Sequence, residues 1–264
     1  MRQKRCLLLT KIATISVLVV FLSLLPNIKT NVVHASTNQV MLKATDDTYV
    51  DSSYPTSNYG GQFNLEILNS LYGTAPYQST FIDIIWLKFN LSSVPNGALI
   101  DTATLQLYAS GVGETYNVDA YSCSDNSWNE LTLTYSNMPS YNTALIDSEL
   151  VPSAFEWYNW SVVDAVRSAL NTNSTQLTLV LNEPTPHSSL NGVSFYSKES
   201  FLENLSTTDY SPELIVHWTA VTREYPTLLL IPLTIITTAV VAAIFYKRKR
   251  IIPAARHKSF WLVG

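Results

Sequence analysis

The sequence predicts an all-β protein in which the exported part is an antiparallel sandwich with one short helix. Many short runs alternate apolar and polar residues, as strands with one buried face do. Gly, Pro, Asn and Ser bound almost every run, so turns are frequent. A single segment of this part has helical spacing, and two long apolar segments stand near the ends of the chain.

The N-terminal apolar segment predicts a signal peptide over residues 1–35. Its first five residues are rich in Arg and Lys, an apolar run from Ile12 to Leu25 follows, and Val33-His34-Ala35 is a small-residue cleavage site. We expect cleavage after Ala35, the alternative being an uncleaved anchor. The predicted domain then covers residues 36–222, an ordinary length for one domain.

Within the domain, strands are predicted wherever the alternation is sustained. These runs are Thr80–Leu91, Thr102–Ala109, Tyr116–Tyr121, Gln176–Asn182, Gly192–Ser197 and Glu213–Trp218. Asn96-Gly97 predicts a turn between the first two strands. Ser161–Leu170 instead has apolar residues at helical spacing, with Ser161 as its expected N-cap.

The C-terminal apolar segment predicts one transmembrane helix over residues 226–246. Leu228 to Tyr246 carries no charge and, at ~1.5 Å per residue, spans about 28 Å, close to the roughly 30 Å of a bilayer core. The basic run Lys247–Arg250 places the tail, residues 247–264, in the cytoplasm and the domain outside. We therefore expect a single-pass protein of the cell membrane, the alternative being a buried core helix.

The charge of the domain is strongly negative. Nineteen Asp and Glu stand against Lys43, Lys88, Arg167 and Lys198, a difference of −15, whereas the whole chain carries −4. This balance argues against nucleic acid and polyanionic glycans as partners. It suits divalent cations or neutral sugars, although solubility alone also explains it.

Two residue types bound the covalent chemistry. The lone cysteine of the domain, Cys123, excludes an internal disulfide and is predicted to be a small core residue. Four N-x-S/T sequons predict surface glycosylation in an exported chain. Their asparagines are Asn90, Asn159, Asn173 and Asn204.

A series of short motifs runs in order over about residues 42–218. They are ATDDTYVD from Ala44, NYG from Asn58, WLKFNL from Trp86, ATLQLY from Ala103, SWNE from Ser127, FYSKE from Phe195 and SPEL from Ser211. The ordered set resembles the DNRLRE-domain family, also classed as carbohydrate-binding module family 96. The resemblance implies a jelly-roll β-sandwich that binds glycan or cell wall without catalysis. Trp86, Gln106 and Lys198 stand where the family usually has arginine, so binding of acidic sugars is not carried over.

Catalysis is not predicted from the carboxylates. Pairs such as Glu130 with Asp125, or Glu199 with Glu203, have the residue types of a glycosidase. Among nineteen acidic residues such pairs arise by chance. The histidines of the domain lack a nucleophile motif such as G-x-S-x-G.

A structural calcium site is the main chemical prediction. Asp46, Asp47 and Asp51 cluster near the first strand, and Glu199 follows a late strand. The first and last strands of a jelly roll lie near each other, so these carboxylates are expected to supply the oxygens that Ca²⁺ needs. In the alternative, the aspartates cap turns and Glu199 pairs with a basic side chain.

Aromatic side chains are the predicted ligand-binding residues, because sugars stack on exposed rings. The candidates in loop sequence are Tyr54, Tyr59, Tyr72, Tyr77 and Trp128. The sequence thus predicts a membrane-anchored surface protein that binds polysaccharide or envelope glycan without catalysis. The alternative is a structural or adhesion protein that binds neighbouring proteins, distinguished by scattered rather than concave placement of these rings.

Overall fold

Strands make up half of the chain that the computed structural model describes, which is residues 34–202 and 208–222. The strands are β1 (His34–Asp51), β2 (Asn64–Tyr72), β3 (Ser79–Asn90), β4 (Leu99–Val112), β5 (Tyr116–Cys123), β6 (Asp147–Val151), β7 (Trp157–Ser161), β8 (Gln176–Asn182), β9 (Val193–Tyr196) and β10 (Glu213–Thr222). The helices are α1 (Val163–Asn171) and α2 (Glu199–Leu202). The all-β prediction with few helical residues is confirmed.

The strands form two layers. All ten strands belong to one continuous sheet in the order β1-β10-β4-β9-β2-β3-β8-β5-β6, with β7 beside β4. Its two halves, β1-β10-β4-β7 and β3-β8-β5-β6, are the layers, and β9 and β2 connect them. The pairings of β3, β4 and β5 with their neighbours are antiparallel. β1 pairs with both β10 and β3, and β2 pairs with both β9 and β3, so these strands join the layers along one side and cover edges that would otherwise stay unpaired.

The main core lies between the two layers and follows from alternation along each strand. On β4, Leu105 and Leu107 are fully buried, whereas Gln106 and Tyr108 point outward. The indole N–H of buried Trp160 donates to the carbonyl of Val118 at 2.8 Å, which satisfies that polar group inside the core. The outward side chains over the centre of β4, Thr104, Gln106, Tyr108 and Ser110, stay partly exposed.

A second, smaller core lies outside β3, under the loop of residues 124–146. There Trp86 and Trp128 meet edge to face at 5.9 Å, and the Trp128 N–H donates to Thr178 Oγ1 at 2.9 Å. Trp128 is only 6% exposed, and the Lys88 ammonium lies 4.3 Å from the centre of its ring. Trp128, which was predicted to contact a ligand, is thus packed into this core by the loop, and little of its ring reaches the surface.

The predicted helix begins later than its pattern indicated. Ser161 ends β7, where its N–H bonds to Asp147 Oδ2 at 2.6 Å. The N-cap of α1 is Val162, which offers no side-chain cap. The other predictions hold more closely: Gln176–Asn182 matches β8, and Cys123 is a buried free thiol.

The predicted segments at the two ends fall almost wholly outside the described residues. Residues 35–221 form one compact unit. Within residues 34–202 and 208–222, neither helix is long and apolar enough to cross a membrane. Residues 1–33, the predicted span 226–246 and the tail 247–264 lie outside that range, as does Asn204.

Candidate functional site

Four aromatic side chains meet on the outer face of the layer that contains β4. Tyr108 of β4 lies opposite Trp157 of β7 in the strand register. Tyr196 of β9 and Tyr210, just before β10, complete the group. Each strand residue alternates with a buried neighbour, so the same pleat that fills the core places these rings outside. We call Tyr108, Trp157, Tyr196 and Tyr210 the aromatic face.

The rings of the aromatic face pack against one another. The Tyr108 and Tyr210 centroids are 4.1 Å apart with planes 23° from parallel, and Tyr196 stacks on Tyr210 at 5.6 Å. Trp157 meets Tyr108 at 5.3 Å and 75°. All four remain partly exposed. A ligand therefore meets rings that are already oriented and loses little side-chain entropy on binding.

Polar groups flank the aromatic face. The amide of Gln106 donates to Asn159 Oδ1 at 2.5 Å. These two residues face each other across β4 and β7, two residues along the strands from the pair Tyr108 and Trp157. On the other side Lys43 lies 2.5 Å from Glu213 Oε1 and 3.2 Å from Asp209 Oδ2. Rings accept the C–H faces of sugars, and amides and carboxylates bind hydroxyls, so the surface has the composition of a carbohydrate site.

A second constellation consists of three carboxylates from distant parts of the chain. Asp47 of β1, Glu130 of the loop and Glu199 at the start of α2 bring one oxygen each within 4.8 Å of one another. The ammonium of Lys198 lies among them, 2.5 Å from Glu130 Oε2, 3.9 Å from Asp47 Oδ1 and hydrogen-bonded to Glu199. We call Asp47, Glu130 and Glu199 the carboxylate cluster.

The electrostatics of the carboxylate cluster follow from its burial. Asp47 is 1% exposed, and desolvation together with Glu199 holds its pKa well above the ordinary value. Burial opposes the charge of Lys198, but hydrogen bonds to Glu130 and Glu199 prevail and raise its pKa. Two buried oxygens, Asp47 Oδ1 and Glu199 Oε2, have no hydrogen-bond partner.

Hydrogen bonds between distant parts of the chain hold the segments of the carboxylate cluster in place. The Asp47 N–H donates to Glu130 Oε2 at 3.1 Å, and the Lys198 N–H donates to Asp47 Oδ2 at 2.9 Å. The Asn58 amide donates to the carbonyl of Glu130 at 2.6 Å. A side chain at Gly60 would put its Cβ 2.1 Å from that same carbonyl, so the turn at Asn58 can approach Glu130 only with glycine there.

Comparison with known proteins assigns the family. A family profile described as carbohydrate-binding module family 96 matches residues 38–208. The chain belongs to carbohydrate-binding module family 96. A gellan lyase from Bacillus sp is 26% identical over 187 residues, which are 69% of this chain and 7% of that protein. The chain thus spans a small fraction of this relative, and the resemblance to the DNRLRE family is confirmed.

The loop tyrosines predicted for the family 96 module lie apart from the aromatic face. Tyr54, Tyr72 and Tyr77 are exposed, and none makes a ring contact among the described residues. Tyr59 stacks on Tyr49 at 4.4 Å and donates to Asp51 Oδ2 at 3.2 Å. Sequence reasoning sought exposed rings in loops, although Tyr72 is the last residue of β2, whereas three of the four clustered rings stand on strands.

The signal for the aromatic face was present in the alternation. The alternation of Thr102–Ala109 predicts that Tyr108 lies on the outer side of its strand, opposite the apolar side chains. Trp157 and Tyr196 occupy the same outward phase on β7 and β9. Only the strand pairing, which is not local in sequence, shows that these outward rings are neighbours.

Two of the four predicted calcium ligands join the carboxylate cluster of the module and two do not. Asp46 is not in the cluster: its Oδ2 lies 3.5 Å from Lys88 Nζ, and its Oδ1 accepts a hydrogen bond from the Glu130 N–H at 3.4 Å. Asp51 is on the same side as Asp47 but about 13 Å farther along the strand, where it faces Asp83. The structure therefore brings two of the four predicted residues together with Glu130, which the predicted set did not include.

Of the three predicted glycosylation sites in the described residues, one lies beside the aromatic face. Asn90, Asn159 and Asn173 are exposed, as an acceptor must be. Asn159 lies on the outer face beside Gln106, next to the aromatic rings. A glycan attached there would cover part of that face, so glycosylation of Asn159 and ligand binding at the aromatic face would compete.

Proposed function

We propose that this protein is a single-pass, non-catalytic surface protein that holds polysaccharide or envelope glycan outside the cell through the aromatic face. The observation that carries the proposal is the pre-formed group of Tyr108, Trp157, Tyr196 and Tyr210 on a module of a carbohydrate-binding family. A sugar ring laid on these side chains would present its C–H groups to the negative faces and edges of the rings.

The charges favour a neutral ligand over an acidic one. Each of the four basic side chains in the described part of the domain already has a carboxylate partner: Lys43, Lys88, Arg167 and Lys198. None of these four is left to neutralise an acidic polysaccharide or a nucleic acid. The domain has nineteen acidic and four basic residues, and this surplus of fifteen negative charges repels both kinds of ligand. Gln106, beside the rings, is an amide that binds neutral hydroxyl groups.

Catalysis is not part of the proposal. Glu130, which the sequence analysis considered as one member of a glycosidase pair, is bound to the Lys198 ammonium and to the Asp47 N–H. The relative named gellan lyase extends far beyond the stretch that this chain matches. We accordingly propose binding alone, with gellan included among the ligands to be tested.

The remaining parts of the proposal concern architecture and anchoring. The layer orders β1-β10-β4-β7 and β3-β8-β5-β6 support a jelly roll, with β2 and β9 as additions. The uncharged segment from Leu228 and the basic run from Lys247 support a membrane anchor with the C-terminus inside. A cleaved signal peptide ending at Ala35 would deliver the domain outside.

The test is binding of the detergent-solubilised full chain to immobilised neutral glucans, mannans and gellan. Trp157→Ala and Tyr108→Ala are expected to weaken binding by about 5- to 30-fold, or about 1–2 kcal/mol for each lost ring contact. The loop changes Tyr54→Ala and Tyr77→Ala are expected to leave it unchanged. Leu150→Ala, an exposed apolar residue on β6, is the matched control.

Two outcomes would contradict this proposal. If the Trp157 and Tyr108 variants bound as tightly as the wild type while the loop variants did not, the ligand would lie on the loops. If no polysaccharide were retained at all, the structural or adhesion alternative would take its place. Unfolding temperatures measured in parallel separate lost contacts from lost folding.

A further inference from the structure

We propose that the carboxylate cluster of Asp47, Glu130 and Glu199 is a calcium site in which the Lys198 ammonium serves as a replaceable counter-charge. The three side chains come from β1, the loop after β5 and the start of α2. No residue of this set belongs to the aromatic face. The inference is therefore independent of the proposed glycan binding.

The buried oxygens without partners point to a ligand. Asp47 Oδ1 and Glu199 Oε2 are both inaccessible to solvent and accept no hydrogen bond. A buried carboxylate oxygen without a partner is costly, so such atoms are rare in folded proteins. Two of them in one cluster indicate that a further cation completes it.

Lysine cannot complete the cluster by itself. Its ammonium bonds to Glu130 and Glu199 but stays 3.9 Å from Asp47 Oδ1, beyond hydrogen-bond distance. When all three carboxyl groups are ionised, one ammonium leaves an excess of negative charge in a largely buried place. A divalent ion would balance more of that charge than the ammonium does.

The donor set selects the kind of ion. All three side chains offer only oxygen, which favours Ca²⁺ or Mg²⁺ over zinc and copper. Ca²⁺ takes six to eight oxygens at flexible angles, including bidentate carboxylates, whereas Mg²⁺ demands a near-ideal octahedron. Three carboxylates on separate segments can supply up to six oxygens at irregular angles, which suits calcium.

The Lys198 side chain has access to solvent from the carboxylate cluster. Its side chain is 18% exposed, whereas that of Asp47 is fully buried. The long, flexible stem can turn the ammonium to water when calcium enters, so the two cations compete for the same oxygens. Replacement of Lys198 by an uncharged residue of similar length should then strengthen calcium binding.

The experiment follows thermal unfolding and terbium luminescence of the full chain, with terbium as a calcium probe excited through the protein's aromatic residues. Calcium, magnesium and chelator are compared at constant ionic strength. We expect calcium to raise the unfolding temperature more than magnesium does, and Glu199→Gln to abolish the difference. Lys198→Met should bind terbium and calcium about tenfold more tightly, since one competing charge is removed.

The matched control is Asp164→Asn, which removes a carboxylate that is 92% exposed. It should keep the calcium response of the wild type. Identical unfolding in all three conditions for both the wild type and Lys198→Met would overturn the proposal. Equal rises with calcium and magnesium would also overturn it, because general screening produces that result. Lys198→Met keeps the test decisive even if Glu199→Gln prevented folding.

Discussion

Trp86, Gln106 and Lys198 stand where the resemblance to the family leads one to expect arginine, and each has a different role in the structure. Trp86 is fully buried and forms the centre of the second core. Gln106 lies beside the aromatic face, and Lys198 lies inside the carboxylate cluster. Two of the three positions thus mark the candidate sites, and the absence of arginine at Gln106 is consistent with a neutral ligand.

Asp83 gives a prediction about pH at the scale of one residue. It lies opposite Asp51 on β1, a like-charged cross-strand pair. Burial, then Asp51 and Glu66, raise the pKa of Asp83 from 3.8 to about 8. Between these values the folded protein keeps a proton that the unfolded chain has lost, so the free energy of unfolding falls as pH rises from about 4 to about 8.

The change Asp83→Asn should remove this part of the pH dependence and raise stability most at pH 8, because the amide needs no proton to avoid repulsion. Denaturant unfolding of the full chain across this pH range measures it. Asp164→Asn, at an exposed carboxylate, is the control and should retain the wild-type slope. Equal slopes in all three proteins would show that the Asp51–Asp83 pair does not hold the proton.

The strands show how far local pattern determines an element. The bounds of β8 were predicted to the residue, and the prediction for β4 missed only the residues at its two ends. β4 alternates cleanly, whereas β8 is an apolar run that is buried over its five central residues. The helix start was misplaced because strand pairing with β4 claims Ser161 before a cap can form. The burial of Trp128 depends on how the loop packs, and an irregular loop has no periodic pattern from which this could be predicted.

The candidate sites were predicted only in part, for the same reason. Asp47 and Glu199 were named from their positions near the first and late strands, and they do meet. Glu130, Tyr196 and Tyr210 reach their sites through contacts between distant segments. Alternation shows which side chains leave a strand outward, but long-range pairing decides which of them become neighbours.

The turn that carries Gly60 gives a prediction at the scale of an element. Gly60→Ala would place a methyl group against the Glu130 carbonyl, 2.1 Å away, and push the turn from the loop that it supports. We expect a loss of about 1–3 kcal/mol in the free energy of unfolding. Gly61→Ala is the neighbouring control, since nothing lies within 4 Å of its added methyl group. Equal losses for the two variants would contradict the close approach.

At the scale of the whole molecule, charge separates the domain from the ends of the chain. The domain carries a difference of −15, whereas the whole chain carries −4, because basic residues are concentrated before Ile12 and after Tyr246. An acidic domain is repelled by an anionic membrane surface, and the basic run Lys247–Arg250 is attracted to the inner one. Both effects favour the proposed orientation.

The orientation can be tested on intact cells that produce the full chain with a tag after Gly264. If the basic run after Tyr246 holds the C-terminus inside, as proposed, an added protease should remove the domain and spare the tag. The matched variant replaces Lys247–Arg250 with neutral residues, which should weaken the preference and expose part of the tag. A tag that is lost from intact wild-type cells would mean that the C-terminus is outside, and the glycan-binding domain would then have to face the cytoplasm. Because the tag and the domain are read in the same digestion, cell lysis is recognised by the loss of both.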